Sequence, residues 1–107
     1  MFDSWHSQAA AMTYSIAATD PWVQYARELG FTLNRERISR GLSQERLAFA
    51  AGISAFTYRK LEKGESNPGT PANPRLRTLV ALAEVLEVSL AALLPPEPRN
   101  IALGQVR

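Results

Sequence analysis

The stretch from Ser43 to Gly64, SQERLAFAAGISAFTYRKLEKG, decides the fold that we expect for this chain. Ser43 can cap a first helix, because its hydroxyl can accept a hydrogen bond from an N–H group that the first helical turn leaves unpaired. Leu47 and Ala51 then lie one turn apart on one apolar face. Gly52 follows at the place where a helix end favours a residue that tolerates positive φ. The pattern therefore predicts a short helix that stops at a tight glycine turn.

A second short helix is predicted after this turn, with one of its faces left free. Ser54 can cap it, and Tyr58 and Leu61 form an inward-facing pair at i, i+3. The residues predicted to face outward are Ala55, Phe56, Arg59 and Lys60. A helix with a short polar start and two adjacent cations on its free face suits the major groove of DNA.

This stretch resembles the helix-turn-helix of the phage Cro and repressor family, often called the XRE family. The matching residues are Gln44, Leu47, Ala48, Gly52, Ile53, Leu61 and Glu62. Tyr58 departs from the family pattern, which usually has Val or Ile there, and its hydroxyl would need water or a partner. The match extends over about residues 28 to 95. The matching residues upstream of the motif are Gly30, Leu33, Arg37, Gly41, Leu42 and Ser43. Those downstream are Leu76, Leu79, Leu82, Ala83, Leu86, Val88, Ser89, Leu90, Leu93 and Leu94.

The resemblance implies an all-α, five-helix, lambda-repressor-like DNA-binding domain at residues 20–95. We expect a flexible arm at residues 1–19 and a loose tail at residues 96–107. Asp20-Pro21 has the cap-then-proline pattern of a helix start, so the first helix should run to about residue 40. Its apolar face is predicted to include Ile38, and Trp22 and Tyr25 either cover the core or face a second subunit.

The remaining helices are predicted from cap and breaker residues. Residues 64–74 form a loop with three prolines and two glycines, and we expect no strand anywhere in the domain. Asn73-Pro74 repeats the cap-then-proline pattern and should open helix four, at about residues 75–87. Helix five should span about residues 90–94. In the family, backbone amides of the loop meet DNA phosphates, and Arg75 and Arg77 just past it either reach phosphate or lie in solvent.

Positive charge is concentrated on the segment that carries the motif. The whole chain has a net charge of +2, but residues 35–63 hold seven cations and only three acids, a balance of +4. On its own such a run is typical of a solvated helix face. Its coincidence with the motif favours contact with phosphate.

Composition argues against several other classes of function. The chain has 107 residues, an apolar share of 46% and no cysteine, so it predicts one small domain without disulfides or cysteine-bound metal. No apolar run approaches the ~20 residues that span a bilayer, and the start lacks the basic residues of a signal peptide, so we expect a cytoplasmic protein. His6 is the only histidine and has no paired carboxylate. We therefore expect no enzymatic activity, metal site or cofactor.

The resemblance also implies roles for individual residues. Gln44 matches the family residue that touches phosphate and braces the recognition helix, here residues 54–62. Arg37 and Glu62 match a common ion pair between the first and third helices. The expected DNA-binding residues are Gln44, Ser54, Ala55, Phe56, Arg59, Lys60 and Lys63.

These observations predict a sequence-specific regulator of transcription, most often a repressor in this family, that binds double-stranded DNA as a homodimer. Helix five and the extension of the first helix are the alternative dimer surfaces. One rival function is an antitoxin, which binds DNA and also a toxin protein. Another is a protein-interaction module that keeps the fold without binding DNA, although Arg59 and Lys60 argue against it.

Overall fold

A computed structural model describes residues 20–96 and 100–102. Within this part of the chain, the helices are α1 (Pro21–Ser39), α2 (Gln44–Ala51), α3 (Ala55–Glu62), α4 (Leu76–Leu86) and α5 (Leu90–Leu93). The predicted all-α, five-helix fold is confirmed, with boundaries within one residue of those expected for α1, α4 and α5. The predicted arm at residues 1–19 lies outside the described residues, and so does most of the predicted tail. None of the described helices has the length and apolar content needed to cross a membrane.

α1 begins where its sequence predicts, and its buried face is the predicted one except at a single residue. The Asp20 carboxylate accepts a hydrogen bond from the Trp22 backbone N–H at 2.9 Å, and proline occupies the first turn. The buried face runs through Ala26, Leu29 and Leu33. Ile38 is 60% exposed, so its predicted place in the core is wrong. The buried stripe of Leu29 and Leu33 continues at i+4 to position 37, which leaves position 38 turned toward solvent.

Gly30 marks the closest approach of α1 to α3. A Cβ atom built on it would lie 2.4 Å from the carbonyl oxygen of Glu62, which is closer than atoms pack. The absence of a side chain therefore lets the two helix backbones meet at the point where α3 ends. The core surrounding this crossing is formed by the buried side chains of Ala26, Leu29, Leu33, Leu47, Ala48, Tyr58, Leu61, Ala72, Leu79, Leu82, Ala83, Leu86 and Leu93.

A short antiparallel hairpin follows α3, and the prediction of a domain without strands is wrong here. Strand β1 (Glu65–Asn67) pairs with β2 (Thr70–Pro71). The tip is Pro68-Gly69, and Gly69 has φ +81°, which a glycine adopts without strain. The strands carry no alternating apolar residues, so hydrophobic periodicity gave no signal for them.

The hairpin is fastened to the start of α1 through Ala72. The Ala72 N–H donates to the Gly64 carbonyl at 2.8 Å, and Trp22 Nε1 donates to the Ala72 carbonyl at 2.9 Å. Trp22 also stacks on Tyr25, with ring centroids 5.1 Å apart. Both rings are half-buried, so they cover this end of the core.

α4 starts later than its predicted cap. The residue preceding the helix is Arg75, in extended conformation and without a side-chain capping bond, so the prediction of an Asn73 cap is wrong. The chain leaves the hairpin extended through Arg75, which keeps Asn73 too far upstream to cap. Leu76 is 66% exposed rather than part of the core, because it is the first residue of α4 and the buried face begins one turn later at Leu79.

Candidate nucleic-acid interface

The two helices of the motif, α2 and α3, are joined by a turn whose bonds are all local. Ser43 accepts from the Arg46 N–H at 3.0 Å, and Gly52 has φ +82° at the end of α2. Ser54 accepts from the Thr57 N–H at 3.0 Å and so caps α3. These bonds satisfy backbone groups that the helix ends would leave unpaired. They fix where α3 begins, and therefore which of its residues face outward.

The outer face of α3 contains most of the predicted residues. Phe56 is 63% exposed, so it does not belong to the core, and Arg59 is exposed beside it. Ala55 is only half-exposed and packs against the core, so its prediction as a fully outward residue is wrong. It lies at i−3 from Tyr58 and shares that buried face. The Ser54 hydroxyl is occupied by the cap and by a bond to the Thr57 hydroxyl at 2.9 Å.

The cations of the motif differ in their partners. Arg59 Nη1 lies 3.2 Å from the Glu45 carboxylate of α2, in an exposed ion pair. Lys60 Nζ sits 4.4 Å from the centroid of the Phe56 ring, a cation–π contact that holds both side chains on the outer face. In the described part of the chain, Arg46 and Lys63 are exposed and form no ion pair. The surface thus offers positive charge that no acid of the domain neutralises.

The carboxylate of Glu62, at the last position of α3, is bound from three helices. Arg37 donates to it twice, from Nε at 2.6 Å and from Nη2 at 3.2 Å, which is the ion pair that the resemblance implied. Arg37 Nη1 also donates to the Leu42 carbonyl at 2.9 Å. Bidentate pairing of this kind fixes orientation as well as adding energy. α1 and α3 are therefore held at one angle by this carboxylate.

Three further side chains donate to Glu62 and, with Arg37, form what we call the Glu62 cluster. The sequence did not predict that these three residues share one acceptor. Asn34 Nδ2 donates at 3.0 Å, Gln44 Nε2 at 2.9 Å, and the Tyr58 hydroxyl donates to the second carboxylate oxygen. Tyr58 precedes Glu62 by four residues on α3, and Asn34 precedes Arg37 by three on α1. Helical spacing was thus the available signal for both. The buried Tyr58 hydroxyl thus has the hydrogen-bond partner that its departure from the family pattern requires.

Gln44 acts in the structure as a brace for α3. Its amide reaches Glu62 from the first position of α2, so α2 is joined to the same carboxylate as α1. The second role that the resemblance implied, contact with a phosphate, involves a ligand and stays a prediction.

The cluster shifts the ionisation of its members. Burial by itself would raise the pKa of Glu62, but hydrogen bonds from Arg37, Tyr58 and the two amides outweigh it and lower the pKa to about 2. The hydrogen bond to Glu62 raises the pKa of Arg37. Burial, followed by the bond to Glu62, raises the pKa of Tyr58 well above its ordinary value. At neutral pH the cluster is therefore a charged pair with a neutral phenol donor.

A groove of about 430 Å³ runs beside α3, between it, the hairpin and the start of α4. Its polar and charged lining residues are Thr57, Lys60, Glu65, Ser66, Asn73, Arg75 and Thr78. The groove brings Lys60 and Arg75 to one concave surface. The sequence placed these two residues in separate elements and gave no indication that they share a wall.

The turn, the exposed α3 face and the adjoining groove define a helix-turn-helix domain of the DNA-binding class. The chain belongs to the helix-turn-helix family, in its XRE-type form: the family description "Helix-turn-helix" matches residues 33–93. Membership of this family supports DNA-binding regulation of transcription as the general function. A comparison with curated proteins found no match.

Solved structures similar to the chain include two regulators. The restriction-modification controller protein C.AhdI from Aeromonas hydrophila is 29% identical, with a TM-score of 0.56 over 64% of this chain and 94% of that one. The clp gene regulator ClgR from Corynebacterium glutamicum is 23% identical, with a TM-score of 0.56 over 64% of this chain and 67% of that one. The second likeness concerns the fold alone.

Proposed function

We propose that this protein is a sequence-specific transcription regulator that binds double-stranded DNA by placing the N-terminal half of α3 in the major groove. The observation that carries the proposal is the outer face of α3. Phe56 and Arg59 are exposed on the outer face of this helix, and Lys60 is half-buried there with its ammonium group over the Phe56 ring. The Glu62 cluster holds the helix against α1 and α2. A rigid helix with exposed cations is what major-groove recognition requires.

Base contacts are assigned to the paired side chains of Lys60 and Phe56. The ammonium group can donate to guanine O6 and N7, and the ring can lie against a thymine methyl group. Their mutual contact at 4.4 Å places both groups on the same face of α3, where one base step can meet them together. Ala55 and Ser54 lie at the start of the helix and would approach DNA closely only through small groups.

Phosphate contacts are assigned to the surfaces on either side of α3. Gln44 and the N-terminus of α2 lie on one side, and backbone N–H groups at a helix start favour an anion. The groove lined by Lys60 and Arg75 lies on the other side, and Lys63 adds charge at the end of α3. Arg59, held by Glu45 in the free protein, is placed to exchange this carboxylate for a phosphate.

The assembly that suits these contacts is a homodimer on a two-fold symmetric site. One domain of this size reaches few bases, and dimers of such domains read half-sites about 34 Å apart. The predicted dimer surfaces remain α5 and the extension at the start of α1. Exposed apolar side chains on α2 and α4, among them Phe49 at 87% and Leu76 at 66%, offer further surface for a protein contact. Repression is the simplest outcome, because a dimer in the major groove excludes other proteins from the same DNA. We expect the protein in the cytoplasm, with the DNA.

The decisive experiment is selection of bound fragments from random duplex DNA, followed by fluorescence anisotropy on the selected site. We expect an enriched, two-fold symmetric sequence and a log–log salt slope of several units, since each neutralised phosphate contributes about 0.9. Sedimentation of the complex should give two chains per duplex. An absence of binding even at low salt would contradict the proposal and favour an interaction module. A second, toxin-like chain that co-purifies from the native host would favour the antitoxin function instead of simple repression.

A further inference from the structure

An apolar groove lies at the opposite end of α1 from the Glu62 cluster. It has a volume of about 240 Å³ and is lined by Trp22, Tyr25, Leu29, Asn73, Pro74, Leu79, Leu94 and Ile101. Most of the lining comes from the start of α1, the loop before α4 and the end of α5. Ile101 is different, because it belongs to the C-terminal segment beyond the last helix.

Ile101 supplies the observation that identifies an occupant. Ile101 is half-buried and lines the groove, whereas its neighbours Asn100 and Ala102 are exposed. Asn100 has φ +55°, a left-handed conformation that redirects the chain just before Ile101. One apolar side chain thus lines the same groove as two aromatic rings while its neighbours remain in solvent, as expected for a docked anchor and not for a loose tail.

The groove shares a wall with the polar groove beside α3. Asn73 and Pro74 line both of them, one on each side of the same short segment. The preceding residue, Ala72, is fixed by the Trp22 indole at 2.9 Å, so the aromatic floor of the apolar groove is bonded directly to this segment. The floor of the apolar groove is thus connected, through this segment, to the groove that Arg75 and Lys60 line.

We propose that the C-terminal segment of this chain docks through Ile101 into the groove of Trp22 and Tyr25, and that this docking positions the segment before α4 for DNA binding. The docking itself does not depend on the proposed function. The effect of docking on DNA binding does rest on the proposed function. The wall formed by Asn73 and Pro74 can influence DNA binding only if the adjoining groove contacts a phosphate. The C-terminal segment is then an internal support of the recognition surface.

The test compares Ile101→Asp with Ala102→Asp, which adds the same charge one residue away on an exposed position. Both variants are made in a Trp5→Phe background, so that Trp22 is the only tryptophan. We expect Ile101→Asp to shift the Trp22 emission to longer wavelength and to lower Tm by about 4–8 °C, while Ala102→Asp leaves both unchanged. Identical emission and Tm in the two variants would overturn the docking. Circular dichroism confirms that each variant keeps its helices.

DNA affinity on the selected site then tests the coupling separately. We expect Ile101→Asp to bind about twofold to thirtyfold more weakly than Ala102→Asp, with the salt slope unchanged because no phosphate contact is removed. An emission shift with equal affinities would overturn the coupling and leave the docking standing. If the parent protein does not bind DNA at all, the proposed function fails, while the emission and Tm of the two variants still decide whether Ile101 docks.

Discussion

Arg37 and Glu62 form a bidentate ion pair across the crossing of α1 and α3, with Nε 2.6 Å from Oε2 and side chains only 12% and 6% exposed. The Glu62 carboxylate also accepts from Asn34, Gln44 and Tyr58, so one acid joins three helices. Breaking such a pair leaves an uncompensated buried charge, which makes the pair a sensitive point of this fold.

Replacing Glu62 by alanine should destabilise the domain by about 3–5 kcal/mol, because the largely buried Arg37 side chain is left without its partner. The matched control is Glu36→Ala, which removes an exposed pair with Arg40 at 3.0 Å and should cost about 0–1 kcal/mol. The double change Arg37→Met with Glu62→Leu should recover part of the loss, because no lone charge remains. Thermal and urea unfolding measure these effects, and a Glu62→Ala variant that melts like the parent would refute them.

The Glu62 cluster also predicts how the stability of the domain depends on pH. The pKa of Glu62 is about 2 in the folded protein against an ordinary value of 4.5, so between these pH values the unfolded chain binds more protons. The contribution of Glu62 is therefore fully present above about pH 4.5 and is lost as the pH falls toward 2. Tm measured from pH 7 to 2 should fall less steeply in Glu62→Gln than in the parent, while Glu36→Gln should follow the parent. Parallel curves for parent and Glu62→Gln would show that this carboxylate is not stabilised in the fold.

Gly30→Ala should destabilise the domain even though alanine favours helices by about 1 kcal/mol over glycine. The new methyl group would lie 2.4 Å from the Glu62 carbonyl oxygen, and a backbone atom cannot move aside as a side chain does. We expect a net loss of about 1–3 kcal/mol, typical of overpacking. Phe31→Ala is the control, since this neighbour on α1 is 66% exposed. A stabilised Gly30→Ala variant would mean that α1 and α3 are further apart than described.

Lys60 and Arg59 should differ in the kind of DNA contact that they make. Lys60→Ala should cost about 1–3 kcal/mol on the selected site and relax preference at one base pair. Arg59→Ala should weaken all sequences alike and lower the salt slope by about one. Arg27→Ala, which removes an exposed cation from α1, provides the control for net charge. Anisotropy over a salt series separates the two effects, and unchanged affinity in both variants would mean that α3 does not enter the groove.

The sequence by itself determined the helices of the motif and the direction of its faces. The helix ends are set by hydrogen bonds between residues three or four positions apart, made by Ser43, Gly52 and Ser54. Such local bonds can be predicted from the sequence. The apolar spacing then fixed which side of α3 packs inward, and Phe56 and Arg59 followed as the exposed side.

Only the tertiary structure determined which residues of different helices and strands contact one another. Four side chains converge on Glu62 from three helices, and Gly30 is required by a backbone that lies more than thirty residues away. The hairpin, the shared wall at Asn73 and Pro74 and the place of Ile101 in the apolar groove likewise left no periodic pattern. Hydrophobic periodicity and capping residues reflect interactions between near neighbours in the sequence. The features named here are contacts between distant residues, which form only when the helices pack.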